Sequence, residues 1–518
     1  MDAHSPTPPA GDRRQVAALR ADLGRAAFTV DHVNDLLGDV AAAALHREQR
    51  LPAVRAARAE PGAAATLLRL FVLGDEVTRA ELDDALERTG TDGARRLGLA
   101  VAAGRGRDDA VRALVDLRPY GAQDAGGPAH WWMTSDLGEL ATGAPLRPDH
   151  VLGVGGASTT LAQLTVRAPV DRTLDLGTGS GVQALHAARH SAEVIGTDVS
   201  PRALGFAAFN AALAETRVDL RHGSLLEPVA GEGFGLVVSN PPFVITPAAA
   251  YDAGLPVMEY RDGARAGDDL VRDVVTGVAD VLRPGGVAQL LGNWEHRHGE
   301  GWTDRVGSWL AAAGLDGWVV QREVQDPAEY AELWLRDGGM RPELDRAAFE
   351  SAYDAWLADF EARGVTGIGF GYLTLRRPAV AGRPPWRRVE EVLGPVRQPL
   401  GEHVSEVLAA QDRLGHRDGT ALGAERLVTA ADVTEERHLV PGAVDPSVIL
   451  LRQGGGMGRT VVADTALAAV VGACDGELTV DQIVTAVAGL LEVETAALAQ
   501  SLLPRLRELV LDGLLRPV

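Results

Sequence analysis

Two short stretches concentrate residue types whose spacing could do chemistry. The first is Asp175-Leu176-Gly177-Thr178-Gly179-Ser180-Gly181, placed between an apolar run and a helical pattern that starts at Val182. Glycines at a strand-to-helix turn let the backbone approach a ligand closely and aim helix N-terminal N–H groups at it, which implies a nucleotide-type cofactor. The dinucleotide fingerprint needs a glycine three residues after Gly179; that position is Val182, which counts against nicotinamide binding. The second stretch is Asn240-Pro241-Pro242-Phe243, directly after another apolar run. Taken alone, two prolines after an asparagine also describe an ordinary strand-ending turn. A third candidate is the isolated acid Asp198, at the end of a predicted strand. It could bind hydroxyl groups or cap the helix starting near Pro201, a capping role that Ser200 could also fill.

Composition removes several alternatives. Cys474 is the only cysteine of the 518 residues, so intramolecular disulfides, cysteine-rich zinc sites, iron–sulfur clusters and dithiol redox chemistry are excluded. The chain has no lysine, its 50 basic residues all being arginine, and a Walker-type phosphate loop or a Schiff base would need one. His186 with His190, and His296 with His298, lack an evident third ligand, so they read as structural or surface histidines and no metal is expected. Net charge is −21, and the sections 1–150, 151–380 and 381–518 are each net acidic, which disfavours long-range attraction to a polyphosphate. No apolar run reaches the roughly 18 residues needed to cross a bilayer. Residues 1–14 read as a disordered tail and not a signal peptide, and a cytoplasmic protein is expected.

The elements that must carry these residues follow from periodicity. Between residues 150 and 378, short apolar strands alternate with amphipathic helices, the signature of a parallel sheet with crossover helices. Strands are expected at 172–176, 193–197, 217–222, 235–239, 287–291, 317–321 and 369–375, with a helical insertion over 327–362 whose aromatics read as packing. Residues 15–149 form an N-terminal module with helices, one of them around 94–103, and a hairpin. Its arginines, Arg95 and Arg96 among them, interleave with acids, so protein contact is favoured over nucleic-acid docking. Residues 379–389 read as a linker. Residues 390–518 form a C-terminal module in which Gly454–Gly458 is a hairpin loop and Thr479 opens a capped helix.

With these residues in place, 150–378 resembles a class I S-adenosylmethionine-dependent methyltransferase, whose loop carries glycines at every second position. The resemblance implies an α/β fold: a doubly wound, seven-stranded Rossmann-like sheet, here flanked by winged-helix-like modules. It also implies that Gly177, Gly179 and Gly181 cradle S-adenosyl-L-methionine, that Asp175 lies near its methionine end and that Asp198 binds its ribose. Where the family often places an aspartate to meet the adenine, this chain has Ser224 and Leu225. Asn240-Pro241-Pro242-Phe243 is similar to the motif of enzymes that methylate planar nitrogens. There the Asn240 side-chain carbonyl and the Pro241 backbone carbonyl would accept the two N–H groups, while Phe243 would stack on the flat group. Glu259-Tyr260-Arg261-Asp262 and Gly267-Asp268-Asp269-Leu270 resemble the segment following this motif in HemK-type glutamine methyltransferases. Two acceptors fit such a motif: a glutamine amide in a protein or peptide, favoured by the acidic charge, and the exocyclic amine of adenine or guanine in RNA or DNA.

Overall fold

Eight strands build the central sheet: β1 (Val170–Leu176), β2 (Ser191–Asp198), β3 (Asp219–His222), β4 (Phe234–Ser239), β5 (Leu282–Arg297), β6 (Asp316–Gln325), β7 (Val365–Arg376) and β8 (Arg387–Glu391). This is a computed structural model, and it describes residues 7–518 apart from 125, 262–264, 381 and 415–418. The spatial order is β8-β6-β7-β5-β4-β1-β2-β3. Strands β1 to β5 pair in parallel, and β7 runs antiparallel to both of its neighbours. Leu174 and Leu176 of β1, Val237 of β4 and Leu290 of β5 are buried. Such central strands, covered on both faces, read in sequence as continuous apolar runs.

Six of the seven expected strands lie within observed ones, the one expected over 217–222 is shorter, Asp219–His222, and an eighth is added. Residues 387–391, expected to lie in or next to a linker, pair in parallel with β6. Glu390 accepts the Trp318 indole N–H at 2.7 Å and Glu391 the Gln321 amide at 2.7 Å. An edge strand tolerates this polar sequence because only one of its sides pairs, which is why no apolar alternation marked it.

The insertion is two helices. Pro327–Asp337 starts on Asp326, whose carboxylate accepts the N–H groups of Ala328 and Glu329 at 2.8 and 2.9 Å, and Arg346–Ala362 starts on Asp345 in the same way. Each cap satisfies donors that the first helical turn leaves free.

The N-terminal residues do not pack as a separate module. Phe206, Phe209 and Leu213 of helix Pro201–Leu213 share one core with Leu23, Leu67, Phe71 and Leu117. Asn210 of that helix is buried; it accepts the Thr134 N–H at 2.8 Å and donates to the carbonyls of Thr134 and Ser180 at 2.9 and 2.8 Å. His186 lies between Asp124 (2.8 Å) and Tyr120 (2.9 Å) of the hairpin Asp116–Asp124/Gly127–Ser135. Residues up to 162 and 169–391 therefore form one compact unit, with no packing boundary at 149/150. Two local readings change as well. The helix expected over 94–103 stops at Arg96, because Gly98 takes φ = 77°, and Ala100–Ala102 is a strand. The expected tail is held from residue 10, whose N–H donates to the Leu97 carbonyl, and Asp12 caps helix Arg13–Arg25; residues 1–6 of that tail lie outside the described residues.

The second unit comprises Gln163–Ala168 and Val392–Val518. The Leu400 N–H donates to the Gln163 carbonyl at 2.8 Å. Val448–Gln453 and Thr460–Ala463 pair antiparallel around the Gly454–Gly458 loop. Thr479 and Gln482 form the capping box of helix Val480–Leu490.

Candidate active site

Strand order reverses between β1 and β4, so the loops leaving these two strands part in opposite directions and open a crevice at their carboxyl ends. A cavity of about 1530 Å³ occupies this crevice. The loops after β1, β2, β3 and β4 all line it, bringing Asp175, Gly177, Gly179, Asp198, Ser224, Leu225, Asn240 and Pro241 together.

The β1 loop is shaped by three glycines with positive φ: Gly177 (73°), Gly179 (55°) and Gly181 (89°). A Cβ at Gly177 or Gly179 would point into open space, whereas one at Gly181 would press on Ala207 at 3.2 Å. Gly181 thus serves close helix packing and does not itself line the cavity, while the other two leave room for a ligand. Asp175 is buried, and its Oδ2 accepts the Thr178 hydroxyl at 2.6 Å and the Ala184 N–H at 2.9 Å. Burial pushes its carboxyl up to about 7, the two hydrogen bonds opposing the shift.

Asp198 Oδ2 accepts the Gly179 N–H and Oδ1 the Ser200 N–H, each at 2.9 Å. Burial raises its pKa too. A carboxylate has about four lone-pair positions, so even with the Val199 N–H also acting on it, capacity remains for a ligand hydroxyl. Ser200, through its hydroxyl, caps helix Pro201–Leu213, which leaves Asp198 free of that duty. The open glycine cradle and the carboxylate's remaining acceptor capacity fit an adenosyl cofactor.

At β4, the Asn240 Oδ1 is buried and has no hydrogen-bond partner among the described residues. A buried carbonyl normally has one. Pro241 and Pro242 stand beside it on the cavity wall. Phe243 does not: its ring packs on the core and meets Phe370 edge-on, with centroids 6.4 Å apart, so the stacking surface expected of it is turned away from the cavity.

Sequence reasoning overlooked other lining residues. Gly155, Gly156 and Ser158 sit where helix Gly156–Leu164 begins, and the Ser158 carbonyl accepts the Gln183 amide at 2.6 Å. The paired glycines just before a helical run were the available signal. Glu259 and Tyr260 also line the cavity, whereas Asp268 is buried under the Glu295 N–H and Arg305; Asp262 lies outside the described residues. The outer wall adds Glu48, Asp116 and Arg118 from the N-terminal part, and Leu333, Arg336 and Leu344 from the insertion. His296 bonds to Gln321 at 2.7 Å. Among the described residues no group of three or more His, Cys, Asp or Glu could hold a metal ion.

Residues 154–298 match the family described as Methyltransferase small domain. These residues form a methyltransferase domain of that family, similar to the HemK-type glutamine enzymes. Residues 25–114 match a family described only as a domain of unknown function (DUF7059). The release factor glutamine methyltransferase of Geobacter sulfurreducens is 40% identical over 121 residues, 22% of this chain and 42% of that protein. That of Deinococcus radiodurans is 41% identical over 128 residues, 23% and 44%. The ribosomal protein uL3 glutamine methyltransferase of Bradyrhizobium diazoefficiens is 34% identical over 195 residues, 33% and 59%. The chain spans about half the length of the curated relatives it matches. Among solved structures, the T. thermophilus 16S rRNA N2 G1207 methyltransferase in complex with AdoMet and guanosine aligns at 21% identity over 52% of this chain and 66% of its own, with a TM-score of 0.26.

Proposed function

We propose that this chain is an S-adenosylmethionine-dependent N-methyltransferase whose acceptor is the side-chain amide of a glutamine in a protein. The observation that carries this reading is the buried, unpartnered Asn240 Oδ1, placed in the same cavity as the glycine cradle and Asp198. An acceptor with no partner in the folded chain is suited to one that arrives with the substrate. The named relatives, all glutamine methyltransferases, support the choice of amide.

The cofactor would supply an electrophilic methyl group on a sulfonium. The protein's part is to hold the nitrogen. An amide nitrogen has its lone pair delocalised, and Asn240 Oδ1 with the Pro241 carbonyl would accept its N–H groups, fixing its plane and polarising it toward attack. The nitrogen becomes acidic only once it carries the new methyl, so no strong base is required before transfer. Orientation of this kind is worth up to roughly 7–11 kcal/mol of a barrier. Asp198 would hold the ribose and Ser224 with Leu225 the base. The N-terminal residues on the cavity's outer wall and the C-terminal unit, both read as winged-helix-like, would select the substrate. The setting proposed is the cytoplasm.

The test is incubation of methyl-labelled cofactor with lysate from a strain lacking the protein. Label should enter protein, survive ribonuclease and appear on glutamine after digestion. Ribonuclease-sensitive label would move the acceptor to an exocyclic base amine.

A further inference from the structure

Beyond Pro242 the chain leaves the cavity and is pinned at three points. The Phe243 ring rests against Phe370, the Val244 N–H donates to the Arg261 carbonyl at 3.1 Å, and the Ile245 N–H donates to the Tyr330 hydroxyl at 2.8 Å. The last is a side-chain anchor reaching in from the insertion helix Pro327–Asp337. Tyr330 is fully buried, and its hydroxyl is also 2.9 Å from the Asn293 amide nitrogen on β5. Its ring is enclosed by Trp334, Trp356, Phe360 and Phe370, with centroids 5.7 to 6.3 Å away. One hydroxyl thus ties the insertion, the sheet and the segment that carries the acceptor motif.

Packing alone does not require that hydroxyl. A phenylalanine would fill the same aromatic cluster without the cost of burying a polar group. The hydroxyl's contribution is directional: it fixes the backbone at Ile245. That backbone is coupled to Asn240 because Pro241 and Pro242 each lock φ near −65°, while the Phe243 contact with Phe370 and the Val244 N–H bond to the Arg261 carbonyl hold the residues that follow. Asn240 Oδ1 has no partner of its own, so its placement depends on its backbone.

We infer that Tyr330 is a positioning residue for methyl transfer: through the Ile245 N–H it sets where the Asn240 carbonyl meets the acceptor nitrogen. The inference rests on the methyltransferase reading given above. It makes the insertion part of the transfer apparatus, beyond its place on the cavity wall.

The test is Tyr330→Phe in the full chain, with three readouts. Labelled-methyl transfer to lysate protein, measured over a dilution series of that lysate, should lose on the order of tenfold to a hundredfold in maximal rate, with the half-saturating lysate concentration little changed. Affinity for S-adenosylhomocysteine, by calorimetry, should stay within about twofold. Hydrogen exchange should accelerate in peptides covering 243–246 and not in those covering 177–182. An unchanged maximal rate overturns the inference, and so does a rate loss matched by an equal loss of cofactor affinity. Should the variant not fold, exchange in the wild-type chain decides: an Ile245 amide exchanging as fast as an open loop removes the bond on which the inference stands. Absence of transfer by the wild-type chain would instead count against the methyltransferase reading itself.

Discussion

Replacing Asn240 with alanine separates a substrate-binding acceptor from a turn residue, because the two roles predict opposite changes in stability. In the folded chain the Asn240 Oδ1 is buried without a partner, and leaving a buried acceptor unsatisfied costs about 1–3 kcal/mol. Asn240→Ala deletes that atom. Its stability should therefore equal or exceed the wild-type value, by up to about 1–3 kcal/mol less the small cost of the space vacated. If the carbonyl instead organised the turn after β4, its loss would destabilise by about 0.5–1.5 kcal/mol, the usual net contribution of one hydrogen bond. Turnover should move the other way. Removing one preorganised partner of a reacting group lowers kcat roughly a hundredfold to a thousandfold. The assays are urea unfolding monitored by tryptophan fluorescence, labelled-methyl transfer, and calorimetric titration with S-adenosylhomocysteine, whose affinity should hold. A variant that is destabilised, or that loses cofactor affinity in step with its rate, would falsify the assignment of Asn240 to the acceptor.

Asp198→Ala should weaken S-adenosylhomocysteine binding by about 1.5–3 kcal/mol, the range for hydrogen bonds to a charged group; unchanged affinity in calorimetry would strip Asp198 of the ribose. The buried Asp175, pushed up to about 7, holds its proton in the folded state over a range where the unfolded chain, with an aspartate near 4, has released it. Its contribution to stability is therefore complete below pH 4 and is lost as pH rises toward and through 7. The stability advantage of wild type over Asp175→Asn should accordingly shrink between about pH 4 and 7 in urea titrations and level off above that, and a pH-independent difference refutes the shift. The fragment 150–391 lacks the partners of Phe206, Phe209, Leu213 and Asn210, so it should show weak near-ultraviolet circular dichroism and bind a hydrophobic dye. A cooperatively unfolding fragment would restore the boundary at 149/150.

Much of the site was legible in the sequence because its signals are local. A glycine at every second position after an apolar run, an acid ending the next run, and Asn-Pro-Pro after a third each state what a single strand end must do. Parallel strands with crossover helices then bring those ends to one edge, so residues 175–180, 198, 224–225 and 240–242 meet without any further instruction. The central strands among the seven were visible for a similar reason: strands covered on both faces announce themselves by hydrophobicity, whereas the edge strand Asp219–His222 has no buried residue.

What the tertiary structure decided depends on partners far away in the chain. Phe243 is the last residue of the motif, yet its ring packs against Phe370, so type and position said nothing about which way it would face. The strand 387–391 is polar because it is an edge, and only its pairing with β6 reveals it. The aromatic residues of helix 201–213 look like those of any crossover helix until residues 16–117 are found packed on them. Tyr330, which reads as one more core aromatic, acquires a role from the N–H of Ile245, 85 positions earlier. Hydrophobic periodicity specifies that a face is buried but not what buries it, since burial is non-directional; hydrogen bonds are directional, and their partners are chosen only when the chain has closed.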